Sequence, residues 1–133
     1  MSLVSVLTKI FGNKSSRDMR EIQPIVEQIK QAYEQIDQLS NDDLRAKTKE
    51  LQHQVQHCAD DLKAEIQATK EKIETLPIEE RESHFNHIDK LEKEVLDRME
   101  VELNAVLTEA LAIMKSTARR FAENEDVVVT ATD

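Results

Sequence analysis

The sequence predicts an all-α fold built on a long antiparallel helical hairpin. Its 133 residues include one glycine, two prolines and no tryptophan, and 34% of them are charged. This composition suits long surface-charged helices better than sheets and tight turns. Two apolar stripes at helical spacing lie between positions 40 and 121, on either side of Pro77. Because each stripe must be buried against a partner, the two arms are expected to pack on each other like a coiled coil.

The predicted hairpin covers residues 40–122, with its corner at 76–78. The stripe of the first arm consists of Leu44, Leu51, Val55, Cys58, Leu62, Ile66, Ile73 and Leu76. The stripe of the second arm consists of Phe85, Ile88, Leu91, Val95, Met99, Leu103, Val106, Ala110, Met114 and Phe121. The second stripe repeats about every 3.6 residues, which predicts an unbroken, nearly straight helix of roughly 65 Å. The first stripe locally exceeds heptad spacing near Leu62, which predicts a relaxed supercoil at that point.

Residues 1–12 predict a short amphipathic helix that ends at Gly12 and packs on the hairpin or on another surface. In one interpretation its apolar face docks on the hairpin or frays. In the other it lies on an anionic membrane, helped by nearby basic residues. The residues assigned to membrane or partner contact are Leu3, Val6, Leu7, Lys9, Ile10, Phe11, Lys14 and Arg17. So short a helix is not stable alone in water, so we expect it to require a covering surface.

Residues 15–39 predict a second helix with a heptad seam. The seam consists of Met19, Ile22, Val26, Ile29, Tyr33 and Ile36. Pro24 lies inside this seam, where it removes one backbone hydrogen bond. Either the helix kinks near Gln23, or a new helix begins with Pro24 in its first turn. We favour one kinked helix, because the seam keeps its phase across the proline.

Residues 39–44 give the clearest helix start in the chain. Ser40 can cap the amide of Asp43, the Asp43 carboxylate can return the bond, and Leu39 and Leu44 flank the cap as a hydrophobic staple. At the other end, residues 123–133 predict an extended tail, in which the β-branched residues 127–130 are a strand candidate. A strand without a partner is not stable, so we expect the chain to be a truncated piece of a larger protein.

The charge distribution limits the classes of partner. The net charge of −9 argues against nucleic-acid binding, because phosphate contacts need a basic face. Residues 1–20 carry a net charge of +3, so the remaining residues carry −12. The sequence has no run of about 18 apolar residues that could span a membrane, and its start lacks the pattern of a signal peptide. We therefore expect a cytoplasmic protein, and its single cysteine excludes an internal disulfide.

No catalytic, cofactor or metal site is predicted from the residues. The candidates weighed are Glu50, His53, His57, Cys58, His84 and His87. The two histidine pairs have the spacing of metal ligands, but the hairpin sets the pairs far apart along its arms. The single Glu-x-x-His motif at residues 50–53 falls short of the two copies that di-metal bundles use. The cysteine lies on the apolar stripe, which predicts an inert core thiol.

Three stretches stand out together and in order. They are residues 7–18 (LTKIFGNKSSRD), 39–48 (LSNDDLRAKT) and 109–120 (EALAIMKSTARR). These stretches resemble the N-terminus of the SecA family, the ATP-driven preprotein translocase motors of bacteria. The family usually joins the second and third stretches by a short loop, whereas residues 49–108 form most of the hairpin here. The resemblance therefore implies a helical insertion grown from two family helices.

The resemblance implies a larger ATPase that uses ATP and Mg²⁺. The sequence ends before the Walker A motif would appear, so no residue is assigned to nucleotide binding and this segment alone is expected to lack ATPase activity. For the N-terminal helix, the resemblance implies contact with acidic phospholipid and with the SecYEG channel, and a peripheral position at the inner membrane. The rest of the motor chain is then a partner, and a homodimer stays open. The alternative is a stand-alone coiled-coil adaptor with a lipid-binding N-terminal helix; a metal-dependent helical-bundle enzyme is a third candidate.

Overall fold

In a computed structural model, which describes residues 14–131, the chain forms four α-helices. They are α1 (Lys14–Ile36), α2 (Asn41–His57), α3 (Asp60–Thr75) and α4 (Ile78–Glu123). No strand occurs within these residues, so the predicted all-α class is confirmed. The helix predicted over residues 1–12 lies outside the described residues. The chain divides into two compact units, a hairpin unit (Arg45–Leu107) and a terminal unit (Met1–Leu44 with Thr108–Asp133).

The hairpin unit is an antiparallel pairing of the first arm with α4. Its core consists of Ala59, Leu62, Ile66, Ile73, Ile88 and Leu91, with Cys58 and Val95 packed against it. Polar pairs cross the seam in opposite chain order: Gln54 donates to Glu102, Arg98 to Asp61 at 2.6 Å, and Lys70 to Glu92 at 3.3 Å. The intramolecular hairpin predicted from the two stripes is therefore confirmed.

The first arm is two helices rather than one continuous helix. The break is at Ala59, whose side chain is fully buried and whose backbone leaves the helical region at φ −129° and ψ 25°. Side chains satisfy carbonyl groups that the break leaves free, since Lys63 donates to Gln56 O at 3.0 Å and Arg98 to Cys58 O at 3.5 Å. The excess over heptad spacing is thus resolved by a local break, not by the gradual relaxation that we predicted.

The corner of the hairpin follows from one proline. Leu76 is extended at φ −92° and ψ 149°, the conformation that a following proline favours. Its carbonyl accepts a hydrogen bond from Arg81 Nε at 2.8 Å, which caps the end of α3. Beyond Pro77, α4 runs for 46 residues without a break, as its periodicity predicts.

The terminal unit packs α1 and the start of α2 with the C-terminal part of α4. Its buried residues are Ile36, Leu44, Ala112, Ile113 and Ser116. The helix α1 runs through Pro24 as a single element, and its kink stays a prediction. The predicted seam of α1 is buried only toward its end: Ile36 is 6% exposed, whereas Met19 is 56% exposed. Ile22 is also 49% exposed, whereas Val26 is half-buried.

The second apolar stripe is only partly correct. Ile88 and Leu91 are buried, but Leu103 is 52% exposed, Met114 66% and Phe121 68%. In the terminal unit the buried face of α4 lies one position or more away from the predicted one. The apolar repeat could not reveal this face, because one of its members is Ser116, a polar residue that is buried through a hydrogen bond to Asp37.

The described part of the tail beyond α4 forms no strand, so the strand candidate at residues 127–130 is corrected. No described segment offers it a neighbouring strand, and a lone strand leaves its backbone groups unpaired. Asn41 and Asp42 at the start of α2 bind this backbone instead.

Candidate functional site

Only one of the eight predicted contact residues has a described side chain. Leu3, Val6, Leu7, Lys9, Ile10 and Phe11 lie outside the described residues, as does the side chain of Lys14. Arg17 is exposed in the first turn of α1. The membrane or partner contact of these residues therefore stays a prediction.

The terminal unit contains a network of hydrogen-bonded polar residues, which we call the polar junction. It is formed by Tyr33, Asp37, Asn41, Asp42, Ser116, Arg119, Arg120 and Thr130. The junction depends on the helix start that the sequence predicts. Ser40 Oγ accepts the amide of Asp43 at 3.1 Å, which fixes the first turn of α2. The Ser40 hydroxyl also donates to the Asp43 carboxylate at 2.6 Å, so the second bond of the cap differs from the predicted return bond to the backbone. As a result, Asn41 and Asp42 stand at the start of a fixed helix.

Asp37 is the centre of the junction. Its Oδ1 accepts Arg119 Nη2 at 2.8 Å, Arg119 Nε at 3.1 Å and the Ser116 hydroxyl at 2.9 Å. Ser116 is fully buried, so this bond satisfies its only polar side-chain atom. Partial burial raises the pKa of Asp37, but hydrogen bonds from Arg119, Ser116 and Tyr33 lower it by more, so the pKa lies below its usual value.

Tyr33 is held between two cations. Arg119 Nε donates to its hydroxyl at 3.1 Å, and Lys115 Nζ lies 4.1 Å from the centre of its ring. Arg119 also binds Glu123, one turn later on α4. The bond to Asp37, followed by those to Glu123 and Tyr33, raises the pKa of Arg119 above its usual value. These contacts fix the end of α1 against α4.

Arg120 ties the loop between α1 and α2 to α4. Its guanidinium donates to Leu39 O at 2.6 Å, to Asp37 O at 3.3 Å and to Asn41 Oδ1 at 2.7 Å. These acceptors include carbonyls that follow the end of α1, so the side chain does the work of a C-terminal cap.

The start of α2 binds the tail that follows α4. Asn41 Nδ2 donates to Val128 O at 2.8 Å, and Thr130 N donates to Asp42 Oδ1 at 2.8 Å. The Thr130 hydroxyl also donates to the Asp42 carboxylate. Two backbone positions of the tail, two residues apart, are thus bound to the start of α2, which fixes the direction in which the chain leaves α4.

This geometry favours bracing over chemistry. Every group of the junction is engaged in holding three helices, a loop and the tail. Within residues 14–131 no three His, Cys, Asp or Glu side chains are grouped so that they could hold a metal ion, and no helix is long and apolar enough to cross a membrane.

Local partners are found for three histidines of the hairpin unit, His53, His57 and His87. His57 Nδ1 lies against Asp60, His87 Nε2 lies 3.0 Å from Glu65, and the rings of His53 and His57 are 4.2 Å apart. His53 and His57 are exposed, as predicted. Cys58 is half-buried beside the core, where we placed it.

Sequence reasoning placed Tyr33 in the apolar seam of α1 and Thr130 in the strand candidate, but it predicted none of the contacts that form the junction. Several residues of the junction fall inside the stretches 39–48 and 109–120, which carry the family resemblance, so a signal was present. An analysis of apolar periodicity does not find these residues, because it assigns polar and charged residues of a helix to the solvent-exposed face.

The fold and the junction together define an all-α segment whose sequence matches a known family along nearly its whole length. Residues 7–130 match the family described as the SecA DEAD-like domain. The chain belongs to the SecA family.

Three relatives show how far the similarity extends. Each is named protein translocase subunit SecA. The chain is 50% identical to the protein of Porphyromonas gingivalis over 127 residues, which is 96% of this chain. It is 51% identical to the protein of Phocaeicola vulgatus over 133 residues, which is 100% of this chain. It is 38% identical to the protein of Flavobacterium psychrophilum over 134 residues, which covers 99% of this chain. It spans about 12% of the length of these relatives. No solved structure matches the chain.

Proposed function

We propose that this chain is the N-terminal helical part of a SecA-type motor of the Sec export pathway, in which it braces the first nucleotide-binding domain. The observation that carries the proposal is the match over residues 7–130 to the SecA DEAD-like domain. The aligned range in the Phocaeicola vulgatus relative includes the hairpin unit, so the similarity is not confined to the three short stretches. A stand-alone adaptor has no comparable support.

The polar junction supplies the bracing. It binds the end of α1, the start of α2 and the tail to one region of α4, through bonds that converge on Asp37, Asn41 and Asp42. In the parent protein these contacts fix the direction of the chain that follows residue 131. ATP and Mg²⁺ would be bound by other parts of the parent, since no residue here is assigned to them.

The N-terminal segment supplies the second part of the proposal. Its basic residues and apolar side fit an anionic phospholipid surface, and by family membership the SecYEG channel at the inner membrane is the proposed protein partner. The parent would then be cytoplasmic and peripherally bound to that membrane.

A chimera tests the proposal. The aligned segment of the Porphyromonas gingivalis protein is replaced by this chain, and preprotein transport into inverted inner-membrane vesicles is measured together with ATP hydrolysis. We expect the chimera to transport preprotein, because the replaced segment is 50% identical. A folded chimera that hydrolyses ATP without transporting preprotein would refute the proposed role.

A second arm of the same experiment separates the anchor from the brace. Ile10→Asp should abolish stimulation of ATP hydrolysis by the vesicles, since it places a charge on the apolar side of the segment, and it should leave basal hydrolysis unchanged.

Binding of the 133-residue chain to liposomes should likewise require anionic lipid and weaken with salt. Leu96→Asp, at a position 67% exposed on α4, is the matched control. Equal binding to neutral vesicles at high salt would exclude the anchor.

A further inference from the structure

The tip of the hairpin unit exposes two large apolar side chains on one helical face. Ile78 is 78% exposed and Phe85 is 52% exposed. They are seven residues apart at the start of α4, so they project from the same side two turns apart. A shallow depression lies between them and is lined by Ile78, Arg81, Glu82, Phe85 and Asn86. The tip therefore offers an apolar contact that the hairpin core does not use.

Carboxylates lie beside this apolar depression. Glu79, Glu80 and Glu82 line a second depression, which shares Glu82 and Asn86 with the first. Glu74 is also exposed at the end of α3. Within the described part of the chain none of these four carboxylates has a salt-bridge partner. The one guanidinium among them, that of Arg81, donates to the carbonyl of Leu76. The tip is thus an apolar depression beside an acidic one.

We propose that the hairpin tip is a docking site for a basic protein segment that carries a large apolar residue next to lysines or arginines. The apolar residue packs between Ile78 and Phe85, and the flanking cations bind Glu79 and Glu82. Charge complementarity selects this occupant over the others. An anionic membrane or a nucleic acid would bring phosphates against four carboxylates, and a second copy would bring acidic tip against acidic tip.

The test uses the 133-residue chain and two fluorescent synthetic peptides of equal length and helical pattern, one of leucine and lysine and one of leucine and glutamate. Fluorescence anisotropy measures binding of each peptide at low salt and at high salt. We expect the leucine–lysine peptide alone to bind, and its binding to weaken as salt rises, because the carboxylates are exposed and their interactions are screened. Absence of binding, or equal binding of both peptides, overturns the proposal.

Variants at the tip locate the site. Phe85→Ser removes the anchor of the apolar depression and should weaken binding about tenfold or more, as truncation of a central contact residue does. Leu96→Ser, on the same helix away from the tip, should leave binding unchanged. Circular dichroism checks folding of each variant, and Phe85→Leu should restore binding if the contact is apolar.

A charge variant provides the second control. The pair Glu79→Gln and Glu82→Gln keeps the size of both side chains and removes both charges, so binding should weaken and lose most of its dependence on salt. The pair Asp97→Asn and Glu100→Gln removes two exposed charges elsewhere on α4 and should have little effect. If both pairs weaken binding equally, the peptide responds to net charge alone and the tip is not the site.

Discussion

The two units are stabilised by different kinds of contact, although both are built on the same helix, α4. The hairpin unit buries aliphatic side chains such as Leu62, Ile66 and Leu91 along one seam, and its ion pairs lie at the exposed edges. The terminal unit buries fewer aliphatic residues and places Ser116 in its interior, bonded to Asp37. The difference shows that one helix can exchange an apolar partner surface for a polar one along its length.

The two units should therefore differ in how well they tolerate substitutions. An aliphatic seam accepts side chains of similar volume, since it asks only for apolar volume and shape. A polar junction asks for specific donors and acceptors in specific places, because a buried group that loses its partner costs more than an apolar contact of the same size. The effect of a substitution on α4 should therefore depend on apolar volume in the hairpin unit and on hydrogen-bonding groups in the terminal unit.

The largest expected effect is in the aliphatic seam. Leu91→Ala should lower the free energy of unfolding by about 2–5 kcal/mol, because it removes buried methyl groups and leaves a cavity. Urea denaturation followed by circular dichroism measures the change. Leu96→Ala, five residues later and 67% exposed, should change it by less than about 0.5 kcal/mol. Similar losses in both variants would contradict the intramolecular seam.

The sequence predicted this seam because a repeat of aliphatic residues has one physical explanation, burial against a second helix. It also predicted the corner at Pro77 and the cap at Ser40, where residue chemistry acts locally. It failed where burial is polar: Met114 and Phe121 were placed in the core and are exposed, while Ser116 was not and is fully buried. Nothing local to Ser116 marks it, since its partner Asp37 lies 79 residues away.

An effect of intermediate size on the free energy of unfolding is expected from replacing one serine in each unit. Ser116→Ala should cost about 1 kcal/mol, because the half-buried carboxylate of Asp37 loses a donor. Ser83→Ala is the matched control in the hairpin unit, where the hydroxyl donates to Glu80 O and is exposed, and it should stay within about 0.5 kcal/mol. Both substitutions gain the same helix propensity, so the difference between them reports the junction. Equal effects would mean that the bond to Asp37 does not stabilise the unit.

The smallest effect is the dependence on pH. The pKa of Asp37 is lowered in the folded chain, because hydrogen bonds from Arg119, Ser116 and Tyr33 outweigh partial burial. A lowered pKa stabilises the fold above the unfolded value of about 3.9, and this contribution is lost as the pH falls through the folded value. The stability difference between the natural chain and Asp37→Asn should therefore be constant near neutral pH and shrink in acid.

Asp61 in the hairpin unit provides a comparison for the pH dependence of Asp37. Its pKa is also lowered, chiefly by the hydrogen bond from Arg98, but its side chain is 67% exposed, whereas that of Asp37 is 25% exposed. Solvent and salt screen an exposed pair more strongly. Asp61→Asn should thus show the same sign with a smaller difference, and high salt should abolish it before it abolishes the effect of Asp37→Asn. Urea denaturation at several pH values and two salt concentrations makes the comparison. If the two variants respond alike to salt, the two units do not differ in how their charges are held.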